Sequence, residues 1–137
     1  MKIKLDPGAR MPSYAHPYDA GMDLYANERK VLRPNDWEVV DTGTHIAIPK
    51  HYVGLITSKS GLMANSGITC RGTIDYGYTG SIKAVLFNHS QKTHIIEKGD
   101  KVTQLIVMRC EHPNLELVDE LEDTDRGDNG FGSTGIR

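Results

Sequence analysis

Three stretches of this chain combine residue types that handle phosphate, move protons or cover a flat ring. Ser58-Lys59-Ser60-Gly61-Leu62 puts a cation and a hydroxyl beside a glycine at the start of a short helical stretch, where unpaired N–H groups suit an anion. Ser60 is expected to be the N-cap of that stretch, over residues 60–66, and Gly67 its stop. The order around Lys59 is not that of a Walker loop, which needs Gly-x-x-x-x-Gly-Lys-Ser/Thr. Gly72-Thr73-Ile74-Asp75-Tyr76-Gly77-Tyr78-Thr79-Gly80 reads as a hairpin whose glycines let a ligand approach the backbone. Asp75 follows apolar Ile74, and a half-desolvated carboxylate there suits a general base, although a lone turn aspartate more often bonds its own backbone. Near the C-terminal end, Arg126 precedes Gly130-Phe131-Gly132-Ser133-Thr134-Gly135, a ring and two hydroxyls set among glycines. Phosphate donors, a base and an aromatic cover together make the pattern of a nucleotide site.

Such residues need a scaffold, and the apolar pattern supplies one of period two. Lys2 to Leu5, Trp37 to Val40, Thr44 to Ile48, Val53 to Ile56, Ser81 to Phe87 and Val102 to Met108 are rich in Val, Ile and Thr. Turn residues separate them at Pro7-Gly8, Pro34-Asn35-Asp36, Thr42-Gly43, Pro49, Gly77 to Gly80 and Lys98-Gly99-Asp100. The expected fold is all-β, a sandwich, jelly roll or barrel. A length of 137 residues with 38% hydrophobic side chains fits one domain with its own core. We place that domain at 1–120. Beyond it the apolar pattern fades, and residues 121–137 are expected to form a flexible arm.

The formal net charge of −2 gives no general attraction to nucleic acid or to an anionic membrane, so any grip on a polyanion must be local. Cys70 and Cys110 have no CxxC partner, which excludes a zinc knuckle and fits free thiols in a reducing compartment. No apolar run approaches the ~18 residues of a membrane span, and Met-Lys-Ile-Lys-Leu-Asp lacks a signal-peptide core. A cytoplasmic location is expected, and the sequon Asn88-His89-Ser90 is then a coincidence.

Five ordered stretches span nearly the whole chain: Ala20-Gly21-Met22-Asp23-Leu24, Ser60-Gly61-Leu62, Gly72-x-Ile74-Asp75-x-x-Tyr78-x-Gly80, Gly99-Asp100-Lys101-Val102-x-Gln104-Leu105 and Arg126-Gly127-x-x-Gly130-Phe131-Gly132-Ser133-Thr134-Gly135. Together they closely resemble the five motifs of the trimeric deoxyuridine triphosphatases. The resemblance implies a jelly-roll-like β-barrel, a homotrimer with sites shared between chains, and hydrolysis of dUTP to dUMP and pyrophosphate. That activity would limit uracil in DNA and supply dUMP for thymidylate synthesis.

Carried over by position, Asp75 resembles the base that activates water for in-line attack on the α-phosphorus. Lys59, Ser60 and Gly61 resemble the phosphate-binding stretch, Gln104 a ligand of the α-phosphate, and Asp23 a carboxylate that binds Mg²⁺ through water. Gly72, Thr73 and Ile74, with the backbone near Lys83 and with Thr69, would recognise uracil. Tyr78 would pack under the deoxyribose and exclude a 2′-hydroxyl. Phe131 would stack on uracil, while Arg126, Gly132, Ser133 and Thr134 would engage phosphates as the arm closes.

The pattern is departed from in three places. Lys59 stands where Arg is usual, exchanging a bidentate fork for a point charge. Gly77 replaces the common Asp or Asn, and Asn129 replaces a glycine. Gly77 also resembles the related dCTP deaminases, but that reaction needs a glutamate where this chain has Val85. A nucleotide-gated regulatory protein with no hydrolysis is a second alternative, with its protein partner unidentified.

Overall fold

A computed structural model describes residues 1–128. Among these the chain forms ten β-strands and one short helix, and every strand pairing is antiparallel. The principal sheet has six strands: β2 (Gly21–Tyr25), β10 (Lys101–Arg109), β6 (Tyr52–Thr57), β7 (Ile68–Ile74), β8 (Lys83–Asn88) and β4 (Trp37–Asp41), in that spatial order. Two strand pairs flank it, β1 (Ile3–Leu5) with β5 (Thr44–Ile46) and β3 (Lys30–Leu32) with β9 (His94–Ile96). The six-stranded sheet curls over one core in the jelly-roll-like, all-β fold expected.

The core explains the curl. Leu24, Leu32, Val40, Ile82, Ala84, Leu86 and Leu105 are wholly inaccessible, and Ile46, Ile56, Ile68 and Val102 nearly so. In β6 and β8 alternate residues point inward, the period-two pattern of strands with one covered face. Each large aliphatic side chain buried in this way contributes about 1.5–3 kcal/mol relative to exposure.

Polar residues close the ends of the fold. Asn88, at 2% exposure, donates from Nδ2 to the carbonyls of Arg33 at 2.8 Å and Lys92 at 2.7 Å, and its Oδ1 accepts from the Ser90 amide at 2.9 Å. Its amide nitrogen is therefore committed to holding β8 against the loops beside β3 and β9.

The expected strands are all present with shifted ends, but β2, β3, β7 and β9 lie where none was expected. β2 shows no alternation because Met22, Asp23, Leu24 and Tyr25 are all buried. α1 (Ser60–Ser66) has the expected length, and Gly67 ends it with a left-handed φ of 64° and an N–H bonded back to the Met63 carbonyl at 3.1 Å. Its N-cap is Lys59, in extended conformation and without a side-chain cap, so Ser60 is the first helical residue and not the cap. From 110 to 128 there is neither helix nor strand, and Leu115, Leu117 and Leu121 are at least 87% exposed.

Candidate functional site

The expected site residues fall into separate groups on one chain. The first surrounds Asp75, immediately after β7. Thr73, Ile74, Asp75, Tyr78 and Lys83 line an open cleft of about 280 Å³ in which Asp75 is the sole carboxylate. The local sequence builds it: the Tyr78 amide bonds back to the Asp75 carbonyl at 3.2 Å, and Gly77 between them has φ of 86°. Positive φ at the third position is what a type II turn requires, so Gly77 suits this turn better than a residue with a side chain.

Tyr78 is held firmly although its ring is partly exposed. Its hydroxyl donates to the Ser81 carbonyl at 2.9 Å, and its ring lies on Gly80, where an added Cβ would come within 2.5 Å of Oη. His45 in β5 tethers the same turn, its Nδ1–H donating to the Thr79 carbonyl at 2.8 Å while Nε2 lies 3.0 Å from the Asp6 carboxylate. Both ring nitrogens thus face acceptors, which only the protonated ring can satisfy with two N–H groups. The His45 pKa is raised accordingly, first by the Thr79 carbonyl. Asp75 itself is exposed, where a half-desolvated carboxylate was expected, because it stands past the end of β7 in a turn flanked by the exposed Tyr76 and Gly77.

The second group is a charge cluster around Asp23. Asp23 is 1% exposed, and each of its oxygens carries an ammonium: Lys59 on Oδ1 and Lys101 on Oδ2 at 2.7 Å. Gln104, opposite Asp23 in the β10–β2 register, adds its Nε2 at 3.4 Å from Oδ1. Burial opposes ionisation of this carboxyl, but the two lysines outweigh it and hold its pKa below the usual carboxylate range. The resemblance gave Asp23, Lys59 and Gln104 separate roles in one site, and the fold brings their side chains together; Lys101, in the fourth of the resembling stretches, was not among the expected site residues.

A carboxylate offers about four acceptor positions. Two ammoniums and a long amide contact leave one acceptor position over on Asp23, the number that a single outer-sphere water would use. No group of three or more His, Cys, Asp or Glu side chains able to hold a metal occurs among the described residues. Mg²⁺ is an ion that readily keeps several waters and takes substrate phosphates as ligands.

Thr69 belongs to neither group. Its hydroxyl is 2.8 Å from His89 Nε2, beside an open cavity lined also by Ser58, Met63, Arg71 and Phe87. Ser60 and Gly61 begin α1, with Gly61 open to solvent. Gly72 pairs with Ile56 inside the sheet. Arg126 is exposed in the segment without regular structure, and Phe131, Gly132, Ser133 and Thr134, like Asn129, lie outside the described residues.

Register fixes how far apart the first two groups are. Asp75 follows Ile74, which faces Gly54, and so stands level with Val53, while β6 ends four residues further on at Thr57 and Lys59 comes two residues after that end. At ~3.4 Å per residue the strand alone puts about 14 Å between the backbone beside Asp75 and the end of β6 that leads to Lys59, so the two groups stand at opposite ends of that strand.

The dUTPase family model matches residues 8–135. Deoxyuridine 5′-triphosphate nucleotidohydrolase of Nocardia farcinica is 44% identical, covering 96% of this chain and 82% of the relative. That of Clostridium tetani is 41% identical over 98% and 96%. Among solved structures, a mutant dUTPase of Staphylococcus bacteriophage 80alpha with dUpNHpp superposes with a TM-score of 0.91 at 31% identity, covering 98% of both chains. A mutant dUTPase of phage phi11 of S. aureus, described with a structural Mg(II) ion, gives a TM-score of 0.83 at 30% identity, covering 89% of this chain and 98% of the other.

Proposed function

This chain belongs to the dUTPase family, and we propose that it hydrolyses dUTP to dUMP and pyrophosphate at sites each shared between copies of the chain. The observation that carries the reading is the cleft in which one carboxylate, Asp75, stands beside a tyrosine ring fixed against Gly80. Asp75 accepts a proton from a water as that water's oxygen attacks the α-phosphorus. The new P–O bond forms in line as the bond to the bridging oxygen breaks, and pyrophosphate leaves with the electron pair. A base of this kind contributes about 10²- to 10⁴-fold, so the rest of the acceleration falls to positioning and charge neutralisation.

Lys59, with Ser60 and Gly61 behind it and Gln104 beside it, supplies donors for the phosphates. Asp23 would hold Mg²⁺ through water, and the ion would neutralise charge along the triphosphate. The backbone from Gly72 to Ile74 and near Lys83 borders the space for uracil. Tyr78 limits the room at the sugar's 2′ position, separating dUTP from UTP. Thr69, some distance along β7, would meet a base only from a different face.

The separation of about 14 Å along β6 between the Asp75 end and the Lys59 end supports a shared site, because the base of one chain then works with the cations of another. A homotrimer closed by the arms over residues 121–137, with Arg126 and Phe131 to Thr134 on the substrate, is the assembly we propose. No helix among the described residues is long and apolar enough to cross a membrane, which accords with work in the cytoplasm on the nucleotide pool, lowering dUTP and furnishing dUMP. Deamination of dCTP has no support in the cleft, since Val85 in β8 faces Val39 and brings no carboxylate.

The test is pyrophosphate release from each dNTP and from UTP, with Mg²⁺ and with chelator, alongside light scattering for mass. Release from dUTP alone by a trimer is expected. Ammonia from dCTP, binding without release, or full activity as a monomer would each overturn part of the reading.

A further inference from the structure

Lys101 has no role in the reading above, yet the fold goes out of its way to deliver it to Asp23. Along β10 the pairing with β2 slips between Lys101 and Thr103: Thr103 faces Leu24, whereas Lys101 faces Tyr25. In a regular strand, Lys101 and Thr103 would point to the same side. Thr103 points into the core, wholly buried, its hydroxyl donating to the Thr57 carbonyl at 2.7 Å. The extra residue of the bulge turns Lys101 to the opposite side, the one occupied by Gln104, Asp23 and Tyr25. There its ammonium meets Asp23 Oδ2 at 2.7 Å.

The charge count gives this contact a consequence. Lys59 and Asp23 alone would be a neutral pair, and drawing Lys59 away to a phosphate would strand a carboxylate that is 1% exposed. An uncompensated buried charge is costly. With Lys101 on the other oxygen the cluster carries a net charge of +1, and Asp23 keeps a counter-ion when Lys59 leaves.

We propose that Lys101 is a positioning residue for the phosphate-binding Lys59, holding Asp23 neutralised so that Lys59 is free to move from the carboxylate to the substrate's phosphates. This rests on the dUTP hydrolase reading. It also accounts for the lysine at 59: a flexible ammonium exchanges partners more easily than a planar guanidinium locked in a fork. Arg10, stacked over the Tyr25 ring at 4.1 Å, adds positive charge on the same side of β2.

Binding of the non-hydrolysable analogue dUpNHpp, measured by calorimetry in chelator on the intact protein, separates the possibilities. Lys101→Met should weaken binding by about 10- to 100-fold, as loss of a half-exposed partner of a buried carboxylate does. Lys101→Arg should bind within a few-fold of the original. The double variant Lys101→Met with Asp23→Asn should recover most of the loss, because no carboxylate remains to be stranded. In turnover with Mg²⁺, Lys101→Met should raise KM more than it lowers kcat. Thermal melts of each variant check folding, and Lys101→Arg carries the test if Lys101→Met does not fold, since the inference then requires near-original affinity. Unchanged binding by Lys101→Met, or a double variant as weak as the single one, would overturn the inference and leave the hydrolase reading intact. Failure of the original protein to bind dUpNHpp would instead remove that reading, and this inference with it.

Discussion

Asp23 and Asp75 are the same side chain in opposite surroundings. Asp23 sits in the middle of β2 with both oxygens taken by lysines and almost no contact with solvent. Asp75 sits just past the end of β7, exposed, with no ion pair among the described residues. A carboxylate bound by two cations is a poor base, because most of its acceptor positions are taken and its affinity for a proton is lowered. One that faces an open cleft keeps its acceptor positions for a water. The difference accords with the proposal that one aspartate organises positive charge and the other takes the proton.

The strongest way to break this contrast is to neutralise each aspartate in turn. Asp75→Asn should lower the rate of dUTP hydrolysis by about 10²- to 10⁴-fold while analogue binding persists. Its stability in urea should change by less than about 0.5 kcal/mol, as for other exposed substitutions. Near-normal turnover would remove Asp75 from the mechanism. Asp23→Ala should do the reverse in the unfolding measurement. It leaves two lysine ammoniums facing each other without their shared acceptor, and a loss of about 2–3 kcal/mol is expected from charge-assisted hydrogen bonds of this kind. A urea midpoint equal to that of the original would show that the cluster contributes nothing to the fold.

The two regions also differ in how far the sequence exposes them. The Asp75 turn was legible because its glycines and tyrosine carry their own geometry: Gly77 takes the positive φ, Gly80 accepts the Tyr78 ring, and all are adjacent in the chain. The Asp23 cluster joins residues from β2, the end of β6 and β10, and only the resemblance brought three of them together. Lys101 escaped because a bulge sets it three positions from Gln104, a spacing no period-two reading puts on one face. β2 escaped for a related reason, since a strand covered on both sides has no alternation to read. The depth of the Asp75 cleft was misjudged because the apolar neighbour Ile74 says nothing about what stands across from the carboxylate.

Within the open region, Gly80 offers a finer probe. A methyl group at this position would lie 2.5 Å from Tyr78 Oη and 2.7 Å from Cζ, so Gly80→Ala must push the ring out of its seat. Overpacking of this sort costs about 1–3 kcal/mol, and the displaced ring should relax the preference for dUTP over UTP by about tenfold. The ratio of kcat/KM for the two nucleotides measures it. An unchanged ratio would detach Tyr78 from sugar selection.

The smallest expected effect concerns His45, which ties the Thr79 end of the turn to β5. Its raised pKa reflects the Thr79 carbonyl first and the Asp6 carboxylate next, with Lys4 opposing them, and Asp41 senses the same ring. A group whose pKa is higher folded than unfolded stabilises the fold fully below its ordinary value of 6.5, and that contribution is lost as pH rises through the folded value. Asp23 and Asp41 behave oppositely: their pKa values are lowered by folding, so their contributions hold above the ordinary 3.8 and disappear as pH falls through the folded values. Melting temperature should therefore fall on both sides of a plateau, with the acid limb set by the buried cluster and the neutral-to-alkaline limb by His45. His45→Gln should flatten the alkaline limb and leave the acid limb in place. If both limbs survive in that variant, the turn beside Asp75 is held by its own glycines and tyrosine, and the contrast between the two aspartates does not depend on the tether.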